Sequence, residues 1–367
     1  MNSLVVSNML HRPARTFVSV AGIGIGILLI VFTVGLANGT IRERASRESA
    51  VGAEIMFRAP GSVGLSGSDS LRLPVEMTKG VETVEGVAKV VPIATNSVSS
   101  KEGLTGSRFV DGIRFDEYAE VAGLKVVSGR KFEDGKDEMM ADTAWFQNRK
   151  LKVGDKFSIY DRDFEIVGIY EPSAGARVKI PLSTMQTQLG SEGKASAFLV
   201  KIKDGFTPQQ VGDALNAKFP DNQIILTSEL EELYMQGFPA LNVFLDVVIG
   251  VAGAISALII LLTMYTTVTE RTRQIGVLKS LGMSNVGIAM SIVKEAILLS
   301  IAGVIFGVLA TYLLKLALAK WTTLNVAIDP QIVATIVVVG IMSGVIGALY
   351  PGLRAARLDA VEALNYD

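Results

Sequence analysis

Four long apolar runs, at about residues 17–37, 241–268, 286–319 and 332–349, constrain this chain more than anything else in it. Each reaches the roughly 20 residues that a helix needs to cross a bilayer. A water-soluble chain of 367 residues could not build a core large enough to hide all four. They predict an α-helical membrane protein with four transmembrane helices, the third long enough to tilt or to project from the membrane. The first run follows Arg12 and Arg15, as a cleaved signal would, but its apolar part exceeds the roughly 7–15 residues of such a segment. Its Gly22, Gly24 and Gly26 suit packing against another helix, which favours a retained span.

Basic residues beside the spans set their orientation, because they resist translocation. His11, Arg12 and Arg15 precede the first span, Arg271, Arg273 and Lys279 separate the second from the third, and Arg354 and Arg357 follow the fourth. With four spans these places share one side, which the positive-inside rule makes the cytoplasm. Arg42, Arg44 and Arg47 oppose the rule, but they alternate with Glu43 and Glu48 and read as the polar face of a helix continuing outward. Both termini are therefore expected in the cytoplasm of a multi-pass inner-membrane protein.

The same topology places a large mixed α/β domain, residues 40–240, outside the membrane between helices 1 and 2. KFSIYDRDFEIVGIY (156–170) reads as a hairpin turning at Asp161-Arg162-Asp163, and AFLVKIK (197–203) as a strand. Thr207-Pro208 opens a helix that Pro220-Asp221 stops, and QIILT (223–227) returns as a strand. Strand–helix–strand order implies a packed subdomain, with the Gly/Ser-rich stretch at 60–70 as its most mobile excursion. The expected division is a cytoplasmic N-terminus and first span (1–39), the extracytoplasmic domain (40–240), spans two to four (241–352) and a cytoplasmic tail (353–367).

Several chemistries are excluded. The chain has no cysteine and only one histidine, His11, which removes thiolate catalysis, Cys-His and Ser-His-Asp sets, and His-rich metal sites. A formal net charge of −1 gives no reason to expect nucleic acid. No GxxxxGK[ST] occurs; GSEGKAS (190–196) lacks the spacing of a P-loop and falls outside the membrane. No catalytic activity and no metal are expected in this chain.

What remains is a short charged link, ERTRQIGVLKSLGMS (270–284), between two apolar runs. Ile275, Leu278 and Leu281 recur every three residues and predict one apolar stripe on a polar helix. Glu270 near its start and Lys279 in its last turn suit the helix dipole. Gly282 fits the position just past its end, and Ser284 or Asn285 can cap the next helix. The plain alternative is a solvated turn with snorkelling arginines.

ERTRQIGVLKSLGMSNVGIAMSIVKEAILLSIAGVIFG (270–307) resembles the FtsX/MacB-type permeases of ABC transporters, the type VII class. Its Glu-Arg opening, Ile-Gly pair, Leu-Lys-x-Leu-Gly and later Glu-Ala bear the likeness. YPGLRAARLDAVEALNYD (350–367) is similar to the closing segment of that family, with Ala360 where a proline is usual, and 129–170 resembles the MacB-like periplasmic domain. The resemblance implies that the cytoplasmic segment 269–284 and the tail dock on a separate ABC ATPase, which would bind ATP and Mg. The residues so implied are Glu270, Arg271, Arg273, Ile275, Gly276, Leu278, Lys279, Leu281 and Gly282, with Arg354, Arg357, Glu362 and Leu364 from the tail. It also implies a homodimer, or pairing with a related permease, and leaves open a periplasmic adaptor.

Within the spans, Gly22/Gly26, Gly303/Gly307 and Gly340/Gly344 have the spacing that lets helices approach closely, and Gly22 and Gly26 are expected at a dimer contact. Lys294 and Glu295 fall inside the third span; pairing or snorkelling is preferred to an ion relay. Asp246 and Lys315 are expected at the outer interface. Spans with so little polar lining argue against a hydrophilic channel. The function expected is mechanotransmission: ATP-driven closure of the partner moves the extracytoplasmic domain, for export or extraction of a substrate. The alternative is an FtsX-like regulator of an extracytoplasmic enzyme such as a cell-wall hydrolase.

Overall fold

The computed structural model describes residues 13–60, 71–99, 107–147, 149, 151–236, 239–319 and 326–359. His11, Arg12, most of the Gly/Ser-rich stretch 60–70, Ala360, Glu362 and Leu364 lie outside the described residues.

In chain order the elements begin with α1 (Pro13–Ser49), β1 (Ile55–Arg58), β2 (Leu73–Pro74), α2 (Thr78–Glu82), β3 (Val87–Ser99), β4 (Ser107–Ile113), α3 (Phe115–Ala122) and β5 (Lys125–Gly129). Next come β6 (Glu138–Asp142), α4 (Thr143–Gln147), β7 (Lys156–Ile159), β8 (Arg162–Glu171), β9 (Val178–Pro181) and α5 (Leu182–Gln188). β10 (Lys194–Ala195), β11 (Ala197–Ile202), α6 (Pro208–Lys218), β12 (Gln223–Leu226) and α7 (Leu230–Gln236) follow. After them stand α8 (Pro239–Glu270), α9 (Thr272–Ser280), α10 (Asn285–Ala319) and α11 (Pro330–Arg357). Contacts divide the chain into two units, Met1–Thr40 with Pro239–Asp367, and Ile41–Phe238.

In the first unit α1, α8, α10 and α11 are long and apolar enough to cross a membrane. Their ends follow local chemistry. The Asp329 carboxylate accepts the Gln331 N–H at 2.9 Å ahead of α11, with Pro330 at the first helical position. The Ser284 hydroxyl accepts the Gly287 N–H at 3.1 Å and opens α10. Ile23, Ile27, Ile260, Leu299, Val304 and Ile336 form the centre of the bundle.

Small residues set how near the helices come. A Cβ on Gly303 would lie 2.6 Å from Ile23, and one on Gly307 2.6 Å from the Gly24 carbonyl, so α1 and α10 meet almost backbone to backbone. Gly340 and Gly344 bring α11 against Val304 and Ser300 of α10, and Gly347 brings it against the Ala257 carbonyl of α8. Gly22 and Gly26 face Ile259 and Ser256 of α8 in the same chain, each 3.4 Å from an added Cβ. The tight position on α1 is Gly24, where a Cβ would sit 2.3 Å from the Phe306 ring.

The second unit is built on a ten-stranded sheet of order β12-β1-β11-β3-β4-β9-β6-β8-β5, with β7 paired to β8. Pairs β4–β9 and β6–β8 are parallel and the others antiparallel. The β7–β8 hairpin pairs Ile159 with Arg162, so its turn is Tyr160-Asp161, one residue earlier than the sequence suggests. Both turn residues have positive φ, 53° and 61°, the left-handed conformation that a two-residue hairpin loop requires. α6 opens on a reciprocal capping box between Thr207 and Gln210, with Pro208 behind the cap.

Candidate coupling surface

α8 runs almost without a break into α9. Arg271 departs from helical geometry, yet its N–H still reaches the Thr267 carbonyl at 3.2 Å and its own carbonyl accepts from Ile275 at 2.9 Å. α9 then ends in a two-bond stop: Met283 N–H donates to the Leu278 carbonyl at 3.1 Å, and Gly282 N–H to that of Lys279 at 3.0 Å. This is the Schellman arrangement, and Gly282 supplies its left-handed residue at φ +91°. The chain therefore leaves α9 in a fixed direction and enters α10 at once.

Charged side chains pin this link to the bundle. Arg15 of α1 pairs with Glu270 and donates to the Thr267 hydroxyl at 3.3 Å. Arg271 pairs with Glu295 of α10 at 3.5 Å, both largely buried. Lys279 donates to the Ala356 carbonyl at 2.9 Å and to the Leu358 carbonyl at 2.6 Å. Arg354 donates to the Tyr265 hydroxyl and lies over that ring, 4.8 Å from its centroid. Six charged residues named in the sequence, Arg15, Glu270, Arg271, Lys279, Glu295 and Arg354, thus take part in these contacts.

The apolar stripe divides. Ile275 is only 8% exposed and packs into the bundle beside buried Thr272 and Gly276, whereas Leu278 is 37% and Leu281 79% exposed. A three-residue spacing drifts by about 60° per step on a 3.6-residue helix, so Ile275 and Leu281 end about 120° apart. Ile275 and Gly276, which the resemblance implies for the docking surface, are thus buried within the chain's own bundle. Val277, which the sequence reading passes over, joins Leu278 and Leu281 in the open, with Arg273 exposed on the same helix. Arg357 is exposed at the end of α11, next to exposed Leu353 across one turn.

The second unit holds an ionic cluster with no signal in local sequence. The ammonium of Lys179 on β9, 1% exposed, lies 2.9 Å from Asp111 of β4 and 3.1 Å from the Ala176 carbonyl. Burial pushes Lys179 down from its ordinary value, and the Asp111 charge works against that shift. Burial pushes the neighbouring Tyr118 phenol up, helped by Asp111. Asp111 also accepts from the Thr95 hydroxyl and the Ala176 N–H, each at 2.7 Å. Residues 41–49 of α1 reach this region. Arg47 donates to the Gly175 carbonyl at 2.5 Å, and Glu43 pairs with Arg177, which in turn pairs with buried Asp142 at 3.0 Å. On another side of the helix, Tyr234 donates to Glu48 at 2.5 Å and Ser49 to the Thr227 carbonyl at 2.8 Å. A cavity of about 60 Å³ beside Arg44, Arg58 and Asp111 has room for about two waters.

Among the described residues no three His, Asp or Glu side chains gather as metal ligands would. Comparison with known proteins supplies the family. The model for the MacB-like periplasmic core domain matches residues 16–218, more than half of the chain, and that for the FtsX-like permease C-terminal matches residues 247–360. A Bacillus subtilis protein named uncharacterized ABC transporter permease YknZ is 25% identical, over 99% of this chain and 98% of its own. The macrolide export ATP-binding/permease protein MacB of Vibrio parahaemolyticus is 22% identical over 97% of this chain but only 58% of its own length. The crystal structure of the periplasmic region of MacB from Actinobacillus actinomycetemcomitans superposes with a TM-score of 0.38 at 16% identity, covering 53% of this chain and 96% of that one. With a periplasmic-core match and a permease match that together take in both of its units, the chain belongs to the MacB/FtsX-type family of ABC transporter permeases.

Proposed function

We propose that this chain is a permease subunit through which a separate cytoplasmic ATPase moves the extracytoplasmic domain of residues 40–240, driving export or extraction of a substrate. The observation that carries this reading is the exposed apolar patch of Val277, Leu278 and Leu281 on a link pinned by Lys279, Arg15–Glu270 and Arg271–Glu295. A patch on a loose loop could be covered by local collapse. On a link held at several points it needs an outside partner, and a held link can transmit force.

Depth supports a protein as that partner. Asp246 and Tyr265 of α8, Lys294 and Lys315 of α10, and Gln331 and Tyr350 of α11 are each about 20 residues apart, about 30 Å along a helix. Polar residues so spaced mark the edges of one hydrocarbon slab. α8 continues to Glu270 beyond this edge, and α10 starts at Asn285 before it. α9 then stands about 8–14 Å beyond the acyl chains, where lipid tails cannot cover Leu278 or Leu281. A protein must.

Two features of the relatives support an ATPase on another polypeptide. Two relatives matched over 96–98% of their own length are named permeases, and the longer MacB relative is named an ATP-binding/permease protein. These residues contain no P-loop. The match to the MacB-like core favours transport over regulation of a hydrolase. Purification of the chain from its native membrane, followed by identification of bound proteins, tests the reading. A P-loop ATPase bound at the cytoplasmic face is expected, and an extracytoplasmic hydrolase without transport would favour the regulatory alternative. A second copy or a related permease, both termini inside, and an optional adaptor belong to the same proposal.

A further inference from the structure

We infer that Lys294 is a binding site for the phosphate of an inner-leaflet anionic phospholipid, a reading that rests on the orientation proposed above. Lys294 sits on α10 within a membrane-crossing helix, on an exposed face. Among the described residues it makes no hydrogen bond or ion pair. Its sequence neighbour Glu295 cannot neutralise it, because adjacent helical residues point about 100° apart and Glu295 is turned inward to Arg271. Of the other basic residues near this end of the spans, Arg15 is engaged by Glu270, Arg271 by Glu295 and Arg354 by Tyr265.

An unpaired ammonium is strongly disfavoured among acyl chains, so its depth decides what it meets. Lys294 lies about 30 Å along α10 from Lys315, which puts it at the hydrocarbon edge, the level of lipid phosphates. The surface below it fits the rest of a lipid. Leu298, Ile301 and Ile305 follow Lys294 at spacings of four, three and four, all exposed, as one apolar stripe running toward the bilayer centre. A cation at the headgroup end of such a stripe matches a phospholipid lying along α10. The described cytoplasmic end is also rich in positive charge, with exposed Arg273 and Arg357 beyond Lys294, which favours an anionic headgroup over a zwitterionic one.

The test uses the full chain, titrated in detergent with phosphatidylglycerol or phosphatidylcholine and read by native mass spectrometry as bound lipid. The expected result is preferential retention of phosphatidylglycerol, reduced about three- to sixfold by Lys294→Gln and restored by Lys294→Arg, with phosphatidylcholine binding unchanged. Unfolding temperature and elution volume of both variants should match the parent, since Lys294 makes no ion pair among the described residues. Equal phosphatidylglycerol retention by Lys294→Gln overturns the site. Displacement of the lipid by millimolar inorganic phosphate overturns the lipid as its ligand. The orientation is checked separately: because the chain has no cysteine, Ser280→Cys gives a single reporter on α9. Labelling of this cysteine by an impermeant maleimide from outside intact cells would refute the inner leaflet, whatever the titration shows.

Discussion

Lys279 of α9 donates to two carbonyls at the end of α11, those of Ala356 at 2.9 Å and Leu358 at 2.6 Å. The ammonium satisfies groups that a helix end leaves open, and it does so at the negative end of the helix dipole. One side chain therefore ties the link helix to the last span. Lys279→Met should cost about 1–3 kcal/mol locally, the usual loss for hydrogen bonds from a charged donor. Hydrogen exchange should speed up in α9 and at 353–358 while the centres of the spans stay protected. Unchanged exchange at both places would show that the contact does not hold the link.

Close approach makes a second prediction. At Gly347 a Cβ would stand 2.4 Å from the Ala257 carbonyl, which is backbone and cannot step aside. Gly347→Val should destabilise the bundle by about 1–3 kcal/mol through overpacking. Gly250 on α8 has nothing within 4 Å of an added Cβ, so Gly250→Ala should be neutral or slightly stabilising. Thermal unfolding of the two variants in the same detergent compares them directly.

The Asp111–Lys179 pair should behave as a buried ion pair does. Lys179→Met leaves the Asp111 carboxylate buried without its cation and should cost about 3–5 kcal/mol. Asp111→Asn combined with Lys179→Met should cost less than the two single changes added together. Denaturant midpoints of the full chain, read through exchange of β4 and β9, give the comparison.

Acid sensitivity should come partly from Glu138. Hydrogen bonds from Arg130, at 2.7 and 2.9 Å, hold its carboxyl below the ordinary value of 4.5, against the opposing effect of burial. A carboxyl whose folded-state value is depressed contributes stability above its unfolded value, and that stability is lost as pH falls through the folded-state value. Glu138→Gln should therefore lower stability near neutral pH by about 1–3 kcal/mol and flatten the loss below about pH 4.5. Denaturant titrations at several pH values check both effects.

Much of this architecture is written locally in the chain. The four spans follow from length and apolarity, Gly282 and Ser284 mark the end of one helix and the start of the next, and Thr207-Pro208 opens α6. Other features depend on angles or on distant partners. Ile275 shares a three-residue spacing with Leu281 but not a face, because the drift of the helix separates them. The pins of the link join residues far apart in the chain, Arg15 with Glu270 and Lys279 with Leu358, and no local pattern announces such pairs. Asp111 and Lys179 are separated in the same way, and each alone reads as an ordinary surface charge. Gly24 could be told from Gly22 and Gly26 only by the neighbour it faces.

The central claim is that force enters through the exposed side chains of α9, and the double variant Leu278→Ser, Leu281→Ser tests it most directly. Both side chains are open, so membrane insertion and thermal stability should stay as in the parent. Binding of the co-purifying ATPase should weaken at least tenfold, because two leucines removed from a contact forfeit about 1.5–3 kcal/mol each. ATPase-dependent transport should fall with it. A variant that keeps full ATPase affinity and full transport would contradict the account.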